Sequence, residues 1–337
     1  MAEPPALVSL ETGLFGQLQV PAAGRDPADL AALSGRAAVY AAHARADNTR
    51  LAYRKAWAAY TTWCRGLGFL PVSGDPVVVG LYLTAAADRG LAVSTLRVHL
   101  AAIIAAHRLG GLALDVRHPG ISAIMRGIER TKGRAPRRQA APVLPLFLKA
   151  MVTGLPDNPA GRRDRALLLL GFGAATRRSE LVALDRADVE IHPQGVTVLF
   201  RRSKTDQVGE GRRVAIHQAV DPAVCVRRAL AAWLEVRSAE MGPLFVRIRK
   251  SGIVTGERLA DAFVGRLLKR LAAGADLNPA LYSGHSLRAG LATSAAIRGA
   301  TIDRIMRQTG HRSYDAARRY VRDAELWRDN VTEGLVD

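Results

Sequence analysis

A basic segment that contains helix-breaking residues divides this chain of 337 residues into two parts with different patterns. Residues 131–142 hold two prolines, one glycine and four lysine or arginine residues. Because proline and glycine interrupt regular structure, this segment predicts a linker, which we place at residues 134–145. The chain is also too long for one ordinary core, so two domains are expected. A strap along a phosphate backbone and a plain solvated spacer both fit this composition.

The part before the linker has the pattern of helices separated by stop signals. Asp75 followed by Pro76 predicts one helix start, and Ser94 predicts another. No run alternates cleanly enough to predict a strand, so residues 34–133 are interpreted as a bundle of helices. Residues 1–33 are net acidic and show no sustained period, which predicts a flexible N-terminal arm.

The part after the linker mixes helices with two β-prone runs. Residues 196–201 and 213–217 favour strands, and the polar, glycine-containing segment between them predicts a turn. Asp164 is a candidate cap for an apolar helix over residues 165–172. Further helices are predicted over residues 258–273, 286–298, 302–308 and 314–322. Residues 146–322 are therefore expected to form a mainly α domain with a small antiparallel β-sheet.

The formal net charge of +18 indicates a polyanionic partner, and nucleic acid is favoured over an anionic membrane surface. Two cysteines exclude a disulfide scaffold, and no Cys/His cluster has zinc-finger spacing. The longest apolar run, residues 166–175, is about half of what a membrane span needs. We expect no secretory signal, no metal and a cytoplasmic protein.

Six residues whose side chains are suited to catalysis are spaced along the second part. Each signal is weak alone, because surface cations and helical His/Arg pairs are common. Arg177 follows an apolar helix, a lysine lies in the predicted turn, and the pattern His-x-x-Arg, Gly-His and Tyr follows. In chain order the six residues are Arg177, Lys204, His285, Arg288, His311 and Tyr320.

The order of these residues, the intervals between them and their local structure resemble the tyrosine recombinase, or phage integrase, family. Within this family a Cre-like organisation fits best. The resemblance implies a SAM-like core-binding domain at residues 34–133 and a catalytic domain at residues 146–322, which close as a C-shaped DNA clamp. Three positions depart from the family pattern. Ala175 stands where glycine is frequent, Arg178 where an apolar residue is usual, and Ala289 where a second histidine is common.

The chemistry of the set is consistent with phosphoryl transfer. Two arginine forks, Arg177 and Arg288, can hold the non-bridging oxygens of a phosphodiester, and His311 can add a hydrogen bond to the same oxygens. Tyr320 supplies a phenolic oxygen that becomes a covalent nucleophile once its proton leaves. Tyr314 is a competing nucleophile that we disfavour.

The remaining groups have proton-transfer and positioning roles. His285 is the natural acceptor of the phenolic proton, because imidazole titrates near neutrality. Lys204 can donate a proton to the departing 5′ oxygen. Glu180 is expected to orient a helix or an arginine. No carboxylate cluster accompanies the set, so no metal or other cofactor is expected.

The resemblance implies a site-specific recombinase that forms a 3′-phosphotyrosine and exchanges strands through a Holliday junction without ATP. Its implied partner is a double-stranded DNA site with inverted repeats around a short spacer. Four protomers would assemble on two such sites, and the free protein would be a monomer or weak oligomer. In a prokaryote it would be nucleoid-associated, or encoded by a phage or plasmid. A type IB topoisomerase, a telomere resolvase and a non-catalytic DNA-binding regulator are the alternatives.

Contacts outside the catalytic set are predicted from charge and periodicity. Cations on the helices, the linker and the turn are candidates for DNA contact, although a solvated face is the competing interpretation. They are Arg97, Arg108, Arg126, Arg130, Lys132, Arg134, Arg137, Arg138 and Arg202. Residues 323–337 are acidic and are expected to form a helix with an apolar stripe. The stripe consists of Leu326, Trp327, Val331 and Leu335. The resemblance implies that it docks on a neighbouring protomer, and packing within the same protomer is the alternative.

Overall fold

The structure is a computed structural model in which the chain separates into two compact units, Met1–Arg137 and Arg138–Asp337. The boundary falls inside residues 134–145, where the linker is predicted. The described residues are 7–11, 17–21, 29, 32–33, 35–37, 39–40, 47–115, 117–133, 140–201, 211–238, 240–322 and 332. No helix among them is long and apolar enough to cross a bilayer.

The described part of the first unit is mostly helical, as the sequence predicts. Its helices include α1 (Asp47–Gly66), α2 (Pro76–Asp88), α3 (Val93–Leu109) and α4 (Pro119–Lys132). The predicted cap of α2 is confirmed, because the Asp75 carboxylate accepts a hydrogen bond from the amide of Val77 at 2.7 Å. The predicted Ser94 cap is wrong. Helix α3 begins at Val93, two residues earlier than a Ser94 cap would place it, and has no side-chain cap.

Aromatic and aliphatic side chains fill the core of the first unit. Tyr60 on α1 and Tyr82 on α2 are fully buried and contact each other edge to face, with ring centroids 5.0 Å apart. Leu96 and Ile103 on α3 join them. Trp57 and Trp63 of α1 are partly buried and pack against this core.

Two short strands lie within the segment predicted to be a flexible arm. Strand β1 (Leu7–Glu11) pairs antiparallel with β2 (Gln17–Pro21), with Val8 opposite Val20. The sequence predicts neither of these strands. The polar-apolar alternation of residues 17–20 is a strand signal, but it is too short to exceed the noise of the surrounding sequence.

The second unit is an α+β domain, which confirms the expected fold class. Its helices are α5 (Pro145–Thr153), α6 (Pro159–Gly173), α7 (Arg178–Ala183), α8 (Val226–Arg237), α9 (Asp261–Gly274), α10 (Ser286–Ile297), α11 (Ile302–Thr309) and α12 (Tyr314–Arg322). The helices predicted between residues 258 and 322 are all present. The predicted helix over residues 165–172 is longer and begins at Pro159.

The strands of the second unit form an antiparallel sheet and a separate hairpin. The sheet has the order β3 (Val189–His192), β4 (Gly195–Phe200) and β5 (Arg212–His217), and the hairpin pairs β6 (Val246–Ile248) with β7 (Val254–Arg258). The sequence predicts β4 and β5 only. Strands β3 and β6 span four and three residues, too few for alternation to stand out.

Helix α6 runs through the core of the second unit, where Leu167, Leu168 and Leu170 are fully buried. Its cap is Asn158, whose side chain accepts a hydrogen bond from the amide of Gly161 at 2.9 Å. The predicted capping role of Asp164 is therefore wrong. Its carboxylate is buried within α6 and pairs with Arg163 at 2.8 Å and Arg270 at 3.1 Å.

The turn that follows α6 contains a left-handed residue. Ala175 has φ 51° and is fully buried, at a position where glycine is frequent in the related family. A Cβ in this conformation approaches the following carbonyl oxygen, which costs about 1–2 kcal/mol. This turn leads directly into Arg177, so the strain lies next to the candidate site.

We predict that Ala174→Gly destabilises the protein more than Ala175→Gly, by about 1–2 kcal/mol in the free energy of unfolding. Both residues are fully buried alanines, but Ala174 has φ −84° while Ala175 has φ 51°. Only at Ala175 does glycine relieve strain. Urea unfolding of the two variants measures the difference, and equal values would contradict a strained Ala175.

Candidate active site

Arg177 precedes the first residue of α7 and is held by Glu180. The carboxylate of Glu180 accepts hydrogen bonds from the Arg177 amide at 2.9 Å and from its guanidinium Nη1 at 2.5 Å. The two side chains are 16% and 4% exposed. Because the carboxylate also lies in the first turn of α7, it is favoured by the helix dipole. Glu180 thus fixes the direction of the Arg177 guanidinium.

Arg288 on α10 is buried, with 1% of its surface exposed. Its Nη1 donates hydrogen bonds to the carbonyls of Ala175, at 2.8 Å, and Thr309. It therefore joins the turn before Arg177 to the end of α11. Its Nη2 is buried and makes no hydrogen bond to the described residues. A buried cationic donor with unused hydrogen-bonding capacity is suited to an anionic ligand.

The surroundings of Arg288 contain mostly positive charge. Burial, together with the nearby guanidinium groups of Arg177 and Arg212, lowers the pKa of Arg288 to about 10. The Glu180 carboxylate and the Tyr320 phenol act in the opposite direction. At neutral pH the guanidinium remains charged, so the site presents several cations with one carboxylate among them.

His311 follows the end of α11 directly. Gly310 takes the left-handed conformation, with φ 68°, and turns the chain so that His311 contacts Tyr320 on α12. The two rings are stacked, with an angle of 26° between their planes and their centroids 5.5 Å apart. The His311 Nδ1 lies 2.8 Å from the Thr309 hydroxyl. The structure therefore brings the predicted hydrogen-bond donor and the predicted nucleophile into contact.

Tyr320 is half-buried, and its helix is anchored by the next residue. Val321 is 4% exposed and packs with Ala292, Ala296 and Ile305 of α10 and α11. By contrast, Tyr314, at the start of the same helix, is 54% exposed. The packing distinguishes the two tyrosines and favours Tyr320 as the residue of the site.

Arg212, which was not singled out from the sequence, also belongs to this site. Its guanidinium lies 4.8 Å from the centroid of the Phe200 ring and donates a hydrogen bond to the carbonyl of Gln308. Burial lowers its pKa, and Arg177 adds to the effect. A signal was available, because alternation in β5 places Arg212 on the same face as the buried Val214.

Two other residues of the predicted catalytic set are His285 and Lys204. His285 lies at the N-cap of α10 and is exposed, although Arg288 three residues later is buried. Its amide donates a hydrogen bond to the Ser283 hydroxyl at 3.2 Å. Lys204 and Arg202 lie outside the described residues.

The structure shows the environment of two departures from the family pattern, Arg178 and Ala289. Arg178 is half-exposed and forms an ion pair with Asp261 at 3.1 Å, so the usual apolar residue is replaced by a surface contact between α7 and α9. Ala289 is buried in α10. Neither change removes a residue of the predicted catalytic set.

The helical cations proposed to contact DNA divide into two groups. Arg108, Arg126 and Arg130 are exposed on α3 and α4. Arg97 forms an ion pair with Glu129, and Lys132 donates a hydrogen bond to the carbonyl at the end of α2. Both of these cations are also exposed, and each already has a partner within the first unit. Two further sets lie outside the described residues. They are the linker cations Arg134, Arg137 and Arg138 and the residues predicted for subunit contact, Leu326, Trp327, Val331 and Leu335.

The described cluster can stabilise negative charge and hold a nucleophile beside it. The guanidinium groups of Arg177, Arg212 and Arg288 lie near one another, and beside them the Tyr320 phenol stacks on the His311 imidazole. Within the described ranges, no group of three His, Cys, Asp or Glu side chains is arranged to hold a metal ion. The arrangement suits phosphoryl transfer to a tyrosine oxygen.

Comparison with known proteins identifies the same region. The model of the phage integrase family matches residues 143–326. An integrase/recombinase of Selenomonas ruminantium, described as a XerD homologue, is 34% identical over 292 residues, which are 85% of each chain. The recombinase Cre of Escherichia phage P1 is 26% identical over 292 residues, 80% of this chain and 82% of Cre.

Solved structures agree on the fold. A lambda integrase dimer bound to a core site superposes with a TM-score of 0.59 at 17% identity, covering 89% of this chain and 97% of the other. The integrase of transposon Tn1549 in complex with transposon right-end DNA gives a TM-score of 0.59 at 16% identity, covering 84% and 93%.

We predict that His311 makes the stability of the DNA-free protein depend on pH between 6.5 and 4. Burial, then Arg288 and Arg177, lowers the pKa of His311 from 6.5 to about 4. The unfolded chain therefore binds a proton that the folded protein does not. The contribution of this pKa difference to the free energy of unfolding is fully present above pH 6.5 and is lost as the pH falls through 4.

Urea unfolding of wild type and His311→Gln at several pH values tests this. The difference between the two free energies of unfolding should be constant above pH 6.5 and shift against the wild type below it. A difference that does not vary with pH would contradict a depressed pKa.

Proposed function

This chain belongs to the phage integrase family and is a tyrosine-type site-specific recombinase, and we propose that it cleaves and rejoins DNA through Tyr320. The observation that carries the proposal is the contact between the Tyr320 ring and His311, beside the buried guanidinium of Arg288. A nucleophile, a phosphate-binding donor and fixed positive charge meet at one place.

The proposed reaction forms one phosphodiester bond for each phosphodiester bond that it breaks. The phenolic oxygen of Tyr320 attacks the phosphorus, and the bond from phosphorus to the 5′ oxygen breaks. A 3′-phosphotyrosine and a free 5′ hydroxyl result. Because one phosphodiester replaces another, rejoining by a 5′ hydroxyl needs no ATP. His285 takes the phenolic proton, and Lys204 supplies a proton to the departing oxygen.

Charge stabilisation provides the largest part of the proposed catalysis. Arg177 and Arg288 bind the non-bridging oxygens, on which negative charge grows in the pentacoordinate transition state. Removal of one fixed donor of this kind costs about 3–4 kcal/mol of transition-state stabilisation. Glu180 supports this role because it holds the Arg177 guanidinium in place.

We propose that the substrate is a double-stranded site with inverted repeats around a short spacer. Two such sites with four protomers would exchange strands in succession through a Holliday junction. The family relationship supports this assembly, and the net charge of +18 and the exposed cations of the first unit support a DNA partner. A DNA substrate would locate the protein at the nucleoid or at the DNA of a phage or plasmid.

A type IB topoisomerase or a telomere resolvase would use a similar active site. The similarity to Cre and to a XerD homologue over most of the chain favours recombination. A regulator without catalysis is disfavoured, because both arginines and the tyrosine are present. Two labelled duplexes distinguish these functions. A recombinase joins strands from both, whereas a topoisomerase only relaxes a supercoiled circle.

We predict that Tyr320→Phe abolishes the covalent protein–DNA adduct and leaves DNA binding unchanged, because only the nucleophilic oxygen is removed. Denaturing electrophoresis on a nicked substrate detects the adduct, and gel shift measures binding. Tyr314→Phe is the matched control, since Tyr314 lies on the same helix and is 54% exposed. It should form the adduct at the wild-type level. An adduct that persists in Tyr320→Phe would overturn the assignment.

A further inference from the structure

The hydroxyl of Thr309 lies between a helix carbonyl and an imidazole nitrogen. Thr309 is the last residue of α11 and is fully buried. Its Oγ1 is 2.7 Å from the carbonyl oxygen of Ile305 and 2.8 Å from Nδ1 of His311. A second carbonyl, that of Met306, is 3.4 Å away.

One hydroxyl has one hydrogen, so the two short contacts need a second donor. An oxygen–oxygen contact of 2.7 Å is a normal hydrogen-bond distance, and a carbonyl oxygen can only accept. The hydroxyl hydrogen therefore lies toward Ile305. With its hydrogen used there, Oγ1 can only accept from His311, which means that Nδ1 carries a hydrogen.

The opposite arrangement is unfavourable. If the hydroxyl donated to Nδ1, the lone pairs of Oγ1 and of the Ile305 carbonyl would face each other at 2.7 Å with no hydrogen between them. Both residues are buried, so water cannot relieve that contact.

We propose that Thr309 is a positioning residue that fixes His311 in the tautomer with its hydrogen on Nδ1, so that Nε2 of the neutral ring is a hydrogen-bond acceptor. This inference deepens the proposed function, because it sets what His311 can offer to a phosphate. It rests on that function only for its consequence and not for the tautomer itself.

The charged groups that face His311 keep the ring neutral. They are guanidinium groups from four elements, namely Arg288 on α10, Arg177 before α7, Arg212 on β5 and Arg319 on α12. Together with burial they lower the pKa of His311 to about 4. Glu180 is the carboxylate among these groups, and it is engaged by Arg177.

The consequence concerns hydrogen bonding to the scissile phosphate. In the free protein Nε2 has a lone pair and no hydrogen, so His311 cannot donate from it to a non-bridging oxygen. It becomes a donor at Nε2 only by taking a proton from solvent. A phosphodiester bound among the four guanidinium groups favours that uptake, because its negative charge offsets their repulsion of an imidazolium.

Nitrogen NMR of the DNA-free protein, labelled with ¹⁵N-histidine, measures the tautomer at pH 7, and His311→Gln assigns the signals. Wild type and Thr309→Ser should show the hydrogen on Nδ1, because serine keeps the hydroxyl. Thr309→Val has the same shape without the hydroxyl, and its His311 signals should shift toward the tautomer with the hydrogen on Nε2.

Thr153→Val is the matched control. Thr153 is also the last residue of its helix, α5, and its hydroxyl donates to the Lys149 carbonyl at 2.9 Å. This variant should leave the His311 signals unchanged. Wild-type signals with the hydrogen on Nε2, or no shift in Thr309→Val, would overturn the proposal. If Thr309→Val does not fold, the wild-type and serine spectra decide.

No DNA is present in this measurement, so its outcome is separate from that of the proposed function. A protein that lacks the Tyr320 adduct but shows the Nδ1 tautomer would refute the reaction and leave the role of Thr309 intact. The Nε2 tautomer in a protein that forms the adduct would do the reverse.

Discussion

The buried guanidinium of Arg288 is the interaction on which the site depends. A charge removed from water must be compensated by hydrogen bonds, and Arg288 obtains them from the carbonyls of Ala175 and Thr309. These two residues lie on different turns. One leads to Arg177, and the other leads to His311. A single buried cation therefore sets the positions of two segments that are far apart in sequence.

The turn at the end of α11 is held at further points. The side-chain amide of Gln308 donates to the carbonyls of Gly173, at 2.8 Å, and Ala215, at 3.1 Å. Arg212 donates to the carbonyl of the same glutamine. Hydrogen bonds thus connect helix α6, strand β5 and helix α11 at the turn that precedes His311. Donors fixed in this way before substrate binds need little rearrangement when charge develops, which is the physical basis of electrostatic catalysis.

The sequence predicts those features that depend on local spacing. Motif order pointed to Arg288 and Tyr320, and the structure brings both beside His311. Arg212 and Thr309 were missed because their significance depends on tertiary contacts, although alternation in β5 was a usable signal for Arg212. Asp164 had the right residue type for a cap, but burial and two arginine partners determine its role.

The most direct test of this account is peptide mapping of the covalent adduct trapped on fragments of the source replicon. Mass spectrometry of the digested adduct should find a nucleotide attached through its 3′ phosphate to Tyr320, and sequencing of the attached DNA gives the cleavage site. A nucleotide on Tyr314 or on a serine, or one attached through a 5′ phosphate, would contradict the account.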